Sequence, residues 1–424
     1  MTSERPNGQA PREAYVWIWL PGQTDPVVAG RLAPGDRGLQ FNYGKSYLER
    51  ATVAGGAIPI YLPELPLQPG LLPLQPGLSM PSCLRDASPD AWGRRVIINR
   101  MLGRQAEDTA ELDELTYLLE SGSDRIGALD FQHSPSEYVP RLSTGASLEE
   151  LLASAGKVEQ GLPLSPELDQ ALNHATSIGG ARPKALIVDG DRKYVAKFSS
   201  DTDLYSVVKG EFIAMRLASL CGIQVAPVKM VRAAGKDVLL VERFDRIRTT
   251  SGWQRKAMVS ALTLFELDEM MARYASYELL AELIRHRFAQ PKDCLRELFC
   301  RLVFNILCGN TDDHARNHSA FWDGATLRLT PAYDICPQAR SGNEATQAML
   351  ILGNDRLSTL EVCLAAAAHF HLSDVEARAI IDQQIDAIES NWDAVCEEAA
   401  LTAVDKALFW RRQFMNPYAL GSYS

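Results

Sequence analysis

From residue 309 to residue 319 the chain reads Gly-Asn-Thr-Asp-Asp-His-Ala-Arg-Asn-His-Ser. Few stretches of a globular protein place so many proton acceptors and oxygen ligands together. A carboxylate can take the proton from a reacting hydroxyl, and carboxylate and amide oxygens are hard ligands for a divalent cation, so the combination suits phosphoryl transfer. Another carboxylate follows at Asp334, in Pro331-Ala332-Tyr333-Asp334-Ile335. His314 and His318 lie four apart and also admit a zinc reading, but there is no His-Glu-x-x-His and the stretch is Gly/Asn/Asp-rich, unlike an amphipathic helix. His314 is therefore read as orienting Asp312 or the loop backbone at the nucleotide site, and His318 as a packing residue. Asp and Asn in a polar loop can equally be a turn or capping cluster, so the reading depends on what surrounds them.

In protein kinases a catalytic Asp stands five residues before a metal-binding Asn. Asp312 and Asn317 have that offset and Asp313 does not, so Asp312 is expected to be the base and Asn317 a metal ligand. Ala320–Trp322 and Leu327–Leu329 flank Asp323-Gly324 as a hairpin that leads to Asp334, placed as the second metal ligand. Upstream, Ser177-Ile178-Gly179-Gly180-Ala181-Arg182-Pro183-Lys184 combines small residues, which let backbone N–H groups approach a phosphate, with a following cation. Gly179 and Gly180 are the candidates for that approach. Val195-Ala196-Lys197-Phe198 has the context of a phosphate-binding strand lysine, with Glu211 in the next helix as its partner. Leu239–Arg246 is an apolar strand with a polar end, suited to offering backbone hydrogen bonds to a purine, with Phe244 placed to pack on the base.

The elements that must position these groups fall into blocks. Tyr15–Leu20, Val27–Leu32 and Leu39–Tyr43 read as strands of a small β-rich unit. Leu-Pro-Leu-Gln-Pro-Gly occurs at 65–70 and again at 72–77, a local duplication in a proline-rich loop. Ser88 as N-cap and Pro89 at the first helical position open a helix over Ala91–Leu102, followed by one around Glu111–Glu120. Small polar residues from 134 to 161 mark a boundary, with a short helix at Leu148–Ala155. Then come a hairpin across Asp189-Gly190, a helix Val207–Leu220 closed by Gly222, and strands Val225–Val231 and Asp237–Phe244. Beyond Leu262 the chain reads as helical except for 310–339. The expected domains are 1–150, 160–260 and 261–424, in an α+β fold.

Bulk properties bound the function. A chain of 424 residues exceeds one ordinary core. The eight cysteines include no Cys-x-x-Cys pair, which argues for buried reduced thiols. There is neither an apolar run of roughly 18–20 residues nor a secretory leader at the first residues, so a cytoplasmic protein is expected. The net charge of −10 opposes direct nucleic-acid binding.

Together these segments resemble the HipA family, the kinase toxins of HipBA toxin–antitoxin modules. The N-terminal carriers are Leu39–Tyr43, Ile58–Leu67, Ser88–Arg94 and Arg125–Leu129, and the C-terminal ones are Ser177–Lys184, Val241–Arg246, Gly309–Ser319 and Pro331–Pro337. The resemblance implies a bilobal protein-kinase-like fold with an N-terminal β-rich accessory domain and a helical C-terminal lobe, using ATP and Mg²⁺. It further implies autophosphorylation at Ser177 that silences the enzyme, Lys184 as a loop contact to nucleotide, and Glu242 with Phe244 at the adenine. Arg182-Pro183 stiffens the loop and departs from an easily ejected switch. The implied substrate is an aminoacyl-tRNA synthetase such as glutamyl-tRNA synthetase. The implied partner is a HipB-like helix-turn-helix antitoxin, through which alone DNA would be met. A kinase of a small molecule or lipid headgroup, and a non-catalytic co-repressor in a HipB–DNA complex, are the competing expectations.

Overall fold

The computed structural model describes residues 11–102, 112–141, 146–160, 162, 180, 182–199, 203, 205–340, 342 and 344–423. They form a mixed helix and sheet protein whose chain divides into two compact units, Met1–Leu186 with Ile247–Ala257, and Ile187–Arg246 with Met258–Ser424.

The first unit is built on an antiparallel sheet of β1 (Ala14–Ile18), β2 (Val27–Gly35), β3 (Gly38–Tyr43) and β4 (Leu129–Gln132), in the order β3-β2-β1-β4. The three expected N-terminal strands are present. The fourth arrives from more than eighty residues downstream and pairs Val16 with Phe131. Val16, Ile18, Leu32, Phe41 and Phe131 are buried in its core. The proline-rich loop covers the edge of β3, with Leu39 N–H donating to the Ser79 carbonyl and Leu72 N–H to that of Phe41, so the edge does not stand open. β9 (Arg246–Thr249) and β10 (Gly252–Arg255), which the sequence did not suggest, form a ribbon. Its Arg255 guanidinium lies 3.4 Å from the Trp19 ring centroid and donates to the Ser123 carbonyl.

One helix keeps its expected bounds but takes a different cap residue, and another runs past its expected end. The helix Ala91–Leu102 begins at Ala91, where the Asp90 carbonyl accepts the Arg94 N–H; Asp90, not Ser88, is its cap. The helix after the boundary starts at Leu148 as expected, on a reciprocal capping box of Ser147 and Glu150, and continues to Glu159.

β5 (Lys184–Asp189), which enters the second unit at Ile187, forms the sheet of that unit with β6 (Arg192–Phe198), β7 (Val228–Ala233) and β8 (Lys236–Glu242), in the order β5-β6-β8-β7. The helix Val207–Leu220 ends as its glycine foretold. Gly222 has φ +85°, its N–H bonds to Ser219 and that of Ile223 to Ala218, the paired bonds of a left-handed C-terminal stop. Helices Tyr277–Arg287, Pro291–Leu307 and Asp374–Glu398 supply most of the remaining core. A second small sheet, β11 (Ala257–Ser260), β12 (Ser319–Trp322) and β13 (Leu327–Leu329), adds a strand the sequence did not announce. Residues 344–359 also carry no helix, held by bridges such as Thr346 to Leu357. The cysteines are free thiols, six of them buried. Among the described residues no helix is long and apolar enough to cross a membrane.

Candidate active site

Helix Pro291–Leu307 is the base of the site. Asn310 N–H bonds to the Asn305 carbonyl and its side-chain amide to Asn305 Oδ1 at 3.0 Å, while Gly309 has φ +72°. A Cβ there would meet the Gln413 carbonyl oxygen at 2.5 Å, so only glycine permits this exit from the helix.

The two adjacent aspartates then part company. Asp313 turns inward and is buried; its carboxylate accepts from the Tyr277 hydroxyl and lies 3.0 Å from His318 Nε2. Burial would raise its pKa, but His318 and the Tyr277 hydroxyl together hold it below the ordinary carboxylate value. Asp312 is exposed. Its pKa is raised, first by the loss of solvent around it and then by the carboxylates of Asp334 and Asp313, with His314 opposing. Three to five residues on, a short turn Ala315–Asn317 brings Asn317 back, and its Nδ2 donates to the Asp312 carbonyl at 3.2 Å. That bond commits the Asn317 amide nitrogen to the loop backbone.

Asp334 is delivered by the hairpin β12–β13 and a parallel bridge between Ala332 and Val225. It adopts φ +58°, a conformation that Asp tolerates better than most residues. Its carboxylate meets the ammonium of Lys197, and Lys197 Nζ lies 2.5 Å from Glu211 Oε1. β6 and the helix Val207–Leu220 thus place the expected Lys–Glu pair. Burial acts against the Lys197 charge, but the two carboxylates outweigh it and hold the pKa above the ordinary lysine value. Glu211 is 5% exposed and Asp334 42% exposed, so of the two carboxylates Asp334 lies nearer to solvent.

Asp312, Asn317, Asp334, Lys197 and Glu211 therefore belong to one region of the second unit. Phe244 follows β8, with its ring 5.6 Å from Tyr333 and 5.9 Å from Phe321. Glu242 is held by Arg192 at 2.8 Å. The N–H groups of Glu242 and Arg243 are spent on the carbonyls of Pro227 and Lys193. His314 is half-buried beside Asp312. Gly180 and Lys184 lie in the first unit, and Ser177 and Gly179 lie outside the described residues.

Sequence reasoning missed the supports. Tyr277, which fixes Asp313, is 36 positions away. The Tyr333 hydroxyl donates to the Arg316 carbonyl and meets Ser319 Oγ at 2.6 Å. The Arg316 guanidinium pairs with Glu269.

Comparison with known proteins identifies the family. A HipA N-terminal domain model matches residues 18–132 and a HipA-like C-terminal domain model matches residues 176–392, just over half of the chain. The chain belongs to the HipA family. The Sinorhizobium fredii protein Y4mE, named for a kinase, is 27% identical over 260 residues, covering 57% of this chain and 60% of its own. The Shewanella oneidensis serine/threonine-protein kinase toxin HipA is 27% identical over 188 residues, or 38% and 42% of the two chains. The chain thus spans three fifths or less of these relatives. A chain of the Shewanella oneidensis HipA, HipB and operator DNA complex superposes with TM-score 0.66 at 18% identity, covering 93% of each. The HipA fold extends over nearly the whole molecule.

Proposed function

We propose that this HipA-family protein is an ATP- and Mg²⁺-dependent serine/threonine protein kinase and the toxin of a HipBA-type module. The observation that carries the reading is the meeting of Lys197 with Glu211 and Asp334, in the same unit as Asp312 and Asn317. One ammonium faces two carboxylates there, and Asp312 adds to the negative field, which suits a divalent cation. Among the described residues no three His, Cys, Asp or Glu side chains gather into a ready-made metal cage. Mg²⁺ commonly completes its shell with substrate phosphates and water, so the donor set fits an ion arriving with nucleotide. Asn317 and Asp334 would hold it, and the bound ion would neutralise charge on the phosphates.

In this mechanism Lys197 steadies the phosphates, with Glu211 fixing its position. Phe244 packs on the adenine beside Glu242, while Gly179, Gly180 and Lys184 approach the phosphates. His314 orients Asp312. Asp312 accepts or orients the proton of the attacking hydroxyl, and its raised pKa strengthens it as a base. Ser177 is the proposed self-silencing site. The proposed substrate is a cytoplasmic translation protein, an aminoacyl-tRNA synthetase such as glutamyl-tRNA synthetase. The proposed partner is a HipB-like helix-turn-helix antitoxin, by analogy with the HipA, HipB and operator DNA assembly of the relative.

The test is labelling of a lysate with purified protein and γ-labelled Mg-ATP. Label on a synthetase, lost by orders of magnitude in a folded Asp312→Ala variant, is expected. Labelled metabolite or lipid with unlabelled protein would point to a small-molecule kinase, and no nucleotide binding at all to a non-catalytic co-repressor.

A further inference from the structure

Past the long helix Asp374–Glu398 the chain turns back within the second unit, and residues 400–415 touch the carriers of three groups already placed at the candidate active site. The first carrier is the helix Val207–Leu220, which holds Glu211. Lys209 Nζ donates to the Ala400 carbonyl at 2.7 Å, and Arg216 pairs with Glu398 at 3.0 Å. Between these two ties the Phe409 ring lies against Gly210, where a Cβ would meet Phe409 Cζ at 3.3 Å. The second carrier is the end of the helix Pro291–Leu307, from which the loop with Asp312 leaves. Met415 N–H donates to the Leu307 carbonyl at 2.7 Å, and the Gln413 carbonyl oxygen lies 2.5 Å from where a Gly309 Cβ would stand. The third is the segment after Asp334. Tyr205 meets the Phe409 ring edge-on, with centroids 5.7 Å apart, and its hydroxyl donates to the Pro337 carbonyl at 3.0 Å. Gln338 N–H in turn donates to the Gly309 carbonyl at 2.9 Å.

This segment is built to hold its shape. The helix Ala403–Phe409 is capped by Thr402, whose side chain accepts the Asp405 N–H. At its end the Phe409 carbonyl accepts N–H groups from both Gln413 and Phe414. Arg411 and Met415 adopt φ +62° and +53°, left-handed conformations that persist only where the surroundings over-determine them. Those surroundings are aromatic. The Trp392 ring of the long helix lies 4.8 Å from Trp410 and 4.9 Å from Phe414, centroid to centroid. Phe409 itself is 1% exposed, and a close-packed interior transmits a displacement instead of absorbing it.

We propose that Phe409 is a positioning residue for phosphotransfer: with the turn after it, it wedges the helix Val207–Leu220 against the root of the loop 310–317, and so sets the Lys197–Glu211 pair relative to Asp312 and Asp334. This role rests on the kinase reading above. Phe409 is buried and acts through Gly210, the neighbour of Glu211 in the chain. Phosphoryl transfer depends on placing its charged groups together, so a lost brace appears in the saturated rate more than in nucleotide affinity.

The experiment compares wild type, Phe409→Ala, Phe409→Leu and Gly210→Ala, each alone and combined with Glu211→Gln. It measures phosphate transferred to protein at saturating γ-labelled Mg-ATP and Mg-ATP affinity by calorimetry, both well below each variant's thermal midpoint. Phe409→Ala should lower the saturated rate about tenfold or more, with affinity within about threefold of wild type. Phe409→Leu refills most of the space and should return to within about threefold of the wild-type rate. In the Glu211→Gln background, Phe409→Ala should lower the rate by less than about threefold, because the pair it positions is already broken. A full, additive loss there, or a wild-type rate in folded Phe409→Ala, overturns the proposal. If Phe409→Ala does not fold, Gly210→Ala decides. A helix accepts alanine more readily than glycine, yet the added methyl presses Phe409 and the helix apart. The rate should fall about threefold, and only while Glu211 is present; an unchanged rate would overturn the proposal too. A wild type that neither binds Mg-ATP nor labels protein would sink the kinase reading as well, whereas an active wild type with unaffected variants sinks the proposal alone.

Discussion

Neighbouring aspartates of identical chemistry serve opposite purposes here because one faces solvent and the other faces Tyr277 and His318. A base must be ionised, and the Asp312 pKa is raised, so phosphotransfer should fall as pH drops through a value above the roughly 3.9 of an ordinary aspartate. His314 pulls that pKa down. In a His314→Gln variant the acid limb of the pH–rate profile should therefore move to higher pH; a limb that stays put or moves down would remove Asp312 as the titrating group. Asp334 makes a different case, since its role is charge in a left-handed backbone. Asn tolerates that backbone almost as well. Asp334→Asn is expected to leave the melting temperature nearly unchanged, because the side chain is half in solvent. It should nonetheless lower Mg²⁺-dependent phosphotransfer at least about a hundredfold, measured across a Mg²⁺ titration. Spacing alone had nominated Asp312 over Asp313. Nothing local could have said that Asp313 is buried, since its partner Tyr277 lies on another helix.

At the scale of elements, Asp313 ties the loop 310–317 to the helix Tyr277–Arg287. Asp313→Ala would leave the Tyr277 hydroxyl and His318 Nε2 buried without that acceptor, at a cost of about 3–5 kcal/mol; urea unfolding would measure it. The pH dependence follows with a definite sign. The folded pKa of Asp313 is depressed, so its stabilisation is full above the unfolded value near 3.9 and is lost as pH falls through the lower folded value. The variant should lose that part of the acid-side slope, and an identical slope would show the network contributes nothing. The sequence readings that succeeded at this scale were those with local physics behind them. The hairpin at Asp189-Gly190, the stop at Gly222 and the alternating N-terminal strands are set by backbone preference and period. β4 and β11 escaped because short strands are recruited by distant partners and have too little pattern of their own. The Ser88 cap was misplaced because Ser-Pro-Asp offers two capping residues, and the choice fell to Asp90, whose carboxylate bonds Gly180.

For the whole molecule the deciding quantity is charge. The chain carries 43 basic against 53 acidic residues, and many of its arginines are already paired, Arg94 with Glu114, Arg100 with Glu120 and Arg216 with Glu398 among them. DNA affinity rises with the number of phosphates a protein neutralises, and each contact steepens the salt dependence by close to one unit. A net negative field leaves little to spend on such contacts, whatever complex the chain joins. The purified protein alone should therefore fail to retard a promoter fragment at about 0.15 M salt, where even non-specific binders commonly show dissociation constants of about 10⁻⁴–10⁻⁶ M. With a helix-turn-helix partner it should supershift the complex while leaving the slope of log affinity against log salt that of the partner by itself. A steeper slope in the ternary complex would mean that basic side chains of this chain reach the phosphates directly. In that event the protein would have to concentrate unpaired arginines and lysines on one face despite its overall sign, and its role at DNA would be contact, not cargo.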